Sequence, residues 1–132
     1  LAGVDAVIKA AAPLDFQPSE VQVHKIKKTG GIDIRFEPTT DILHELGQAK
    51  NGMVLVGFAA ETENHIAFGM EKLRSKNLDL VVVNDVGGPN SAFNSDTNQA
   101  SILDAGGAEE NLPRMSKLEL ANRILDRIKS LL

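Results

Sequence analysis

"GMVLVGFAA" (residues 52–60), "ETENHIAFGMEKLRSKN" (61–77) and "LDLVVVNDV" (78–86) follow one another without a gap. The first and third are short, almost wholly apolar runs, which fits strands buried on both faces. The middle stretch offers Thr62 as a candidate cap and sets Ile66, Met70 and Leu73 at helical spacing. A strand, a helix and a strand in succession predict an α/β fold with a mostly parallel sheet flanked by helices. Working outward, "VDAVIKAAA" (4–12) reads as another buried strand, stopped by Pro13. "PLDFQPSE" (13–20) carries Pro13 and Pro18 and reads as loop. "VQVHKIKKTGGIDIRFEP" (21–38) alternates around Gly30 and Gly31, as a hairpin or lid insertion would, with lysines at its tip or flank. "TTDILHELGQAK" (39–50) has capping residues at its start and predicts a short helix with Ile42, Leu43 and Leu46 on one face.

"VGGPNSAFNSDTN" (86–98) reads as a loop rich in Gly, Asn and Ser, and "QASILDAGG" (99–107) as a short strand ending in a turn. "SKLELANRILDRIKSLL" (116–132) predicts a closing helix. Ser116 and Glu119 stand at capping-box spacing, and Leu120, Ile124, Leu125 and Ile128 form its apolar stripe. A length of 132 residues suits a single domain over 1–132.

Composition narrows the chemistry. The chain has no Cys, which removes disulfides, thiolate nucleophiles and Cys-based zinc sites. His24, His44 and His65 lack metal-ligand spacing. The apolar runs are far shorter than the ~20 residues of a membrane span. The formal net charge of −4 argues against a nucleic-acid partner. Against that acidic background, Lys25, Lys27 and Lys28 form a local cation cluster beside two glycines, suited to a small anion such as phosphate. A solvated hairpin with surface lysines is the plainer alternative. The opening "LAGVDAVIKAAA" enters a strand-like run at once and has no Met, so a fragment lacking an earlier segment is expected.

In parallel sheets, ligands bind outside the carboxyl ends of the strands. The residues to watch therefore follow the strands: Ala10 to Ala12, Phe58 to Thr62, and Asn84 with Asp85. Phe58 could stack on a base or simply fill the core. Lys72 and Lys76, four apart, share a helix face and could reach the end of the preceding strand. Asp15 could hold Mg²⁺ through one carboxylate, accept from a base amino group, or serve as a turn residue. Neither GxGxxG nor GxxxxGK[ST] is present.

The ordered segments "AAPLDFQP", "KIKK", "TTDIL", "VGFAAET", "EKLRSKNLDLVVVNDV", "FNSDTN" and "LPRMSKLELA" resemble the phosphopantothenate–cysteine ligases, the ligase part of a bacterial bifunctional coenzyme A biosynthesis protein. The resemblance covers nearly the whole chain. It implies a Rossmann-like fold, a homodimer, a cytoplasmic location and small-molecule substrates, with no membrane or nucleic-acid partner. It implies Mg²⁺, CTP as co-substrate and an acyl-cytidylate intermediate, and FMN only where a decarboxylase domain is fused upstream. By motif, the nucleotide contacts are Ala11, Asp15, Lys25, Thr39, Thr40, Asp41, Ile42, Phe58, Lys72 and Lys76. Ala12 and Asn84 are the acid-substrate contacts, Lys25 and Ala12 the catalytic positions, and Asp15 the metal position.

The chain departs from the family in three ways. Pro13 replaces the commoner Val, Thr39-Thr40 replaces Asn-Pro, and the family's N-terminal part, with its Gly-rich triphosphate loop and an Asn of the acyl-cytidylate chemistry, is missing. The chain is therefore expected to be the C-terminal portion of the ligase domain. A non-catalytic Rossmann-like module that binds a nucleotide or metabolite is the alternative.

Overall fold

The computed structural model describes residues 3–27, 30–61, 63–85 and 97–132. Along the chain it forms β1 (Ala6–Lys9), β2 (Phe16–Pro18), β3 (Phe36–Pro38), α1 (Ile42–Gln48), β4 (Val54–Glu61), α2 (His65–Ser75), β5 (Leu80–Asp85), β6 (Thr97–Asn98), β7 (Ala100–Asp104), β8 (Glu109–Asn111), β9 (Met115–Ser116) and α3 (Lys117–Lys129). Two compact units result: Leu1–Ala10 with Leu43–Leu132, and Ala11–Ile42.

The larger unit is built on a five-stranded sheet in the order β1-β4-β5-β7-β8. β1, β4 and β5 are parallel, β7 runs against β5, and β8 runs against β7, so four of the five strands point the same way. Helices flank it, as expected for an α/β fold with a mostly parallel sheet. Side chains alternate across a strand. Val54, Val56, Leu80, Val82 and Ile102 therefore share one buried cluster with Leu120, Ile124 and Ile128 of α3. Leu55, Ala59, Val81, Val83 and Leu103 share the other with Leu43 of α1 and Leu73 of α2. Apolar packing on both faces is why β4 and β5 read as unbroken apolar runs.

The helix ends are fixed by local bonds. Ser116 caps α3: its Oγ accepts from the Glu119 N–H at 3.2 Å, and the Glu119 carboxylate accepts from the Ser116 N–H at 2.8 Å. The side-chain and then the main-chain bond from Ser116 hold the Glu119 carboxyl below the usual carboxylate range. α2 ends in a Schellman arrangement. The Leu78 N–H donates to the Leu73 carbonyl at 2.9 Å, and that of Asn77 to the Arg74 carbonyl at 3.3 Å. Asn77 takes the left-handed conformation, φ 52°, that this stop requires. Its Nδ2 reaches the Gly47 carbonyl at 2.9 Å. A Cβ on Gly47 would lie 2.0 Å from the Lys76 carbonyl oxygen, so only glycine lets α1 lie this close to the end of α2.

In the smaller unit, β2 and β3 form a two-stranded antiparallel ribbon, Phe16 opposite Pro38 and Pro18 opposite Phe36. It is a hairpin, but its strands are not those expected. The stretch 13–20, expected as loop, supplies β2, and of 21–38 only Phe36–Pro38 is strand among the described residues. Among the described residues of 21–34 the alternation has no buried face to enforce it: Val21 is 89% exposed and Val23 90%. Without a covered face the period-two pattern specifies no register.

Other expectations also need correction. The first strand is only Ala6–Lys9, on the sheet edge, and Ile8 is exposed. Ile42 and Leu125 are exposed; the buried face of α1 runs through Leu43 and Gly47, and that of α3 steps by four from Leu120. α2 begins at His65 with Asn64 at the N-cap position; Thr62 lies outside the described residues. Most of the loop at 86–98 also lies outside them.

Gly47→Ala is expected to destabilise the protein by about 2 kcal/mol net, an overpacking cost of about 3 kcal/mol against main chain less the ~1 kcal/mol that alanine gains over glycine inside a helix. Urea unfolding of the two proteins measures it. Ser116→Ala is expected to let the Glu119 pKa rise toward its ordinary value, read by NMR titration. A carboxyl lowered in the fold adds stability above its unfolded pKa and loses it as the pH falls through the folded one. The stabilising slope below neutral pH should therefore shrink in that variant.

Candidate functional site

In the larger unit, polar side chains of α2 lie beside the second half of β4. β1 stops opposite Gly57, because Lys9 pairs with Gly57. β4 continues to Glu61 beside β5 alone, with Ala60 opposite Asn84 and Glu61 opposite Asp85. The β4 edge from Phe58 onward thus has no β1 residue across from it. Lys72, one turn from the end of α2, donates from Nζ to the Phe58 carbonyl at 2.6 Å. Lys76 is the C-cap residue of the same helix. Both are half-buried. They line an open depression of about 340 Å³ together with Glu61, Phe68, Glu71 and Ser75.

The two phenylalanines near this place differ. Phe58 is half-buried and packs against the core cluster beneath α3. Phe68, which sequence analysis passed over, is 45% exposed and lines the depression. Its spacing to Lys72 and Lys76, at i+4 and i+8, could have marked it, since residues four apart share a helix face.

At the end of β5, Asn84 is half-buried and its Oδ1 accepts from Nδ2 of Asn98 at 3.1 Å. Asn98 itself is only 9% exposed, and its Oδ1 has no hydrogen-bond partner among the described residues. It too went unnoticed in the sequence, where it reads as one more polar residue of a loop.

The smaller unit brings Asp15 and Thr39 together. The Thr39 N–H donates to the Asp15 carbonyl at 2.9 Å, and its Oγ1 to the Leu14 carbonyl at 2.6 Å. The Thr39 hydroxyl and N–H thus tie down the segment carrying Asp15. Ala11, Ala12, Asp15, Lys25, Lys27, Thr40, Asp41 and Ile42 are exposed, and Thr39 is half-buried. Lys28 lies outside the described residues. Among the described residues no group of three or more His, Asp or Glu side chains could hold a metal ion. An exposed Asp15 carboxylate still suits Mg²⁺, which often takes one or two carboxylates and leaves the rest of its sphere to water and phosphate. No helix among the described residues is long and apolar enough to cross a membrane.

A mostly parallel sheet covered by helices on both faces defines an α/β domain, an architecture in which ligands bind outside the carboxyl ends of the strands. The chain belongs to the family of the DNA/pantothenate metabolism flavoprotein C-terminal domain, whose model matches residues 1–132. It is 46% identical over 128 residues to the coenzyme A biosynthesis bifunctional protein CoaBC of Bacillus subtilis, covering 96% of this chain and 32% of that protein. It is 38% identical over 129 residues to a cysteine/cysteine sulfinic acid decarboxylase of an unknown prokaryotic organism, covering 96% of this chain and 36% of that one. Among solved structures, the crystal structure of the C-terminal domain of a CoaBC protein superposes with a TM-score of 0.77 at 36% identity, covering 98% of this chain and 55% of that one. The chain spans about a third of the length of the two sequence relatives.

Truncating the two rings should separate their roles. Phe58→Ala is expected to cost roughly 2–4 kcal/mol, because the ring packs on the core, while Phe68→Ala should stay within about 0.5 kcal/mol. Chemical denaturation of both variants checks this.

Proposed function

We propose that the chain is the C-terminal portion of a cytoplasmic, homodimeric phosphopantothenate–cysteine ligase of coenzyme A biosynthesis. In this reading 4′-phosphopantothenate and CTP form an acyl-cytidylate and pyrophosphate. The cysteine amine then attacks the acyl carbon, CMP leaves, and phosphopantothenoylcysteine is the product. The observation that carries the reading is the seating of Lys72 on the Phe58 carbonyl, past the last residue of β4 that pairs with β1, with Lys76 on the same depression. Two ammonium groups lining one open depression suit a nucleotide triphosphate. The resemblance of the motifs to phosphopantothenate–cysteine ligases is what favours this ligand over other anions.

The proposed roles follow from chemistry and position. Lys72 and Lys76 bind phosphate as cations. Phe58 contributes its main chain, since its ring is turned to the core. Ala60, exposed beside the uncovered strand edge, leaves room for close approach of a ligand. By the family resemblance alone, Ala11, Thr39, Thr40, Asp41 and Ile42 would be further nucleotide contacts, and Ala12 and Asn84 contacts to the acid. Lys25 stabilises charge that builds on phosphate oxygens during acyl transfer, a large catalytic term when such groups are preorganised. Asp15 would hold Mg²⁺, whose charge would be shared with the triphosphate. FMN has no assigned residue in this chain and would belong to a decarboxylase domain elsewhere in a bifunctional polypeptide.

Lys25→Ala in the complete ligase polypeptide is expected to lower kcat roughly 100-fold, the scale of removing one charge-stabilising donor, with the fold intact by circular dichroism. Unchanged turnover would remove Lys25 from catalysis. Lys72→Ala is expected to raise KM for CTP about tenfold, as loss of a charge-assisted contact does. Calorimetry with Mg-CTP and Mg-ATP tests the base preference. Binding without turnover in the complete polypeptide would favour a non-catalytic nucleotide-binding module instead.

A further inference from the structure

Asn98 is a two-residue step from the core yet buries a primary amide. β6, which carries it, pairs with β9, placing Asn98 opposite Met115, and packs against α3. A buried amide left partly unsatisfied is costly, so its placement calls for an explanation. Its one side-chain hydrogen bond among the described residues goes to Asn84, at the carboxyl end of β5.

That bond has a direction. Asn98 donates from Nδ2 and Asn84 accepts at Oδ1, over 3.1 Å. An asparagine amide has one acceptor oxygen and one NH₂ donor at its tip. With its oxygen taken by Asn98, Asn84 has its NH₂ left to give to another acceptor. Among the described residues that NH₂ has no side-chain partner. We infer that Asn98 is a positioning residue that fixes the Asn84 amide donor-outward, so that the group recognised at the end of β5 is a hydrogen-bond acceptor, a carbonyl or carboxylate oxygen of the acid substrate. The inference rests on the proposed role of Asn84 as an acid-substrate contact and adds the polarity of that contact and the residue that sets it.

The orientation makes an unusual demand on position 98: it must donate. An ionised aspartate can only accept, so it would draw the Asn84 NH₂ inward and turn its oxygen to the substrate. Leucine, of similar shape, would leave the amide free to rotate.

The test uses the complete ligase polypeptide with Asn98→Asp, Asn98→Leu and Asn84→Ala, measuring KM for phosphopantothenate, CTP and cysteine separately, together with the melting temperature. Asn98→Asp should raise KM for phosphopantothenate roughly tenfold and Asn98→Leu about threefold, the range of one lost hydrogen bond with and without reversed polarity. KM for the other two substrates should stay near that of the unmutated protein. If Asn84→Ala raises KM for phosphopantothenate but neither position-98 variant does, the positioning role is overturned and the Asn84 contact stands. If Asn84→Ala changes nothing, the Asn84 contact falls and the inference with it. If all three KM values and the melting temperature move together, Asn98 is structural only, and the inference is overturned. Should a position-98 variant not fold, the side-chain amide NMR signal of Asn84 in the unmutated protein decides. It should shift on addition of phosphopantothenate while that of Asn98 stays; an unmoved Asn84 signal overturns the inference.

Discussion

The burial of β4 and β5 on both faces is the constraint from which the larger unit follows. Leu55, Val56, Leu80, Val81 and Val82 are completely shielded from solvent. Each such side chain is worth roughly 1.5–3 kcal/mol over its exposed state, so the two strands require helices above and below. α3 supplies one cover and α1 with α2 the other. Close approach on that second side is possible because glycine stands where a side chain would collide. Gly69 of α2 is an example: a Cβ there would sit 2.6 Å from Cγ2 of Val83.

Shielding has to end somewhere, and it ends where the polar residues are. β4 outruns β1 by four residues, so main-chain groups emerge from the sheet without the neighbour that covers them further back. Lys72 meets one of those carbonyls. The opposite ends of the same strands are closed differently. Asp79 accepts from the Leu55 N–H and from Lys50 Nζ, each at 2.7 Å, which pins the entry of β5 to β4. One end of the central strands is thus tied by an internal ion pair. The other ends in Glu61 of β4 and in the amide of Asn84 on β5.

The smaller unit obeys different physics. Its ribbon pairs only three residues on each side, and its apolar side chains, Leu14, Phe16, Val21 and Val23 among them, are exposed. Such a ribbon has little burial to stabilise it. Local bonds take over: Thr39 to the Leu14 and Asp15 carbonyls, Ser19 to the Arg35 carbonyl, and Gln17 to Glu37. Asp15 is held in place by main-chain bonding rather than by packing, which keeps its carboxylate in solvent.

Read alone, the sequence determined the α/β class, the two central strands, the capping box of α3, the buried stripe of α3 apart from Leu125, and the core-facing side of α2, where Leu73 is buried and Ile66 and Met70 are half-buried. All of these rest on local periodicity or on groups a few residues apart, where the energetic reward is large and the pattern is repeated. It also picked out Lys72 and Lys76, because helical spacing alone puts them on one face. Only the tertiary structure decided the strands of the ribbon, the edge position of β1, the burial of Phe58 against the exposure of Phe68, and the pairing of Asn84 with Asn98. Each of these depends on which distant segment lies alongside. An alternating stretch becomes a strand only if a partner covers one face, and an asparagine in a loop becomes a buried donor only if another strand end lies within hydrogen-bonding reach. That adjacency is a property of the folded chain and is written in no single window of its sequence.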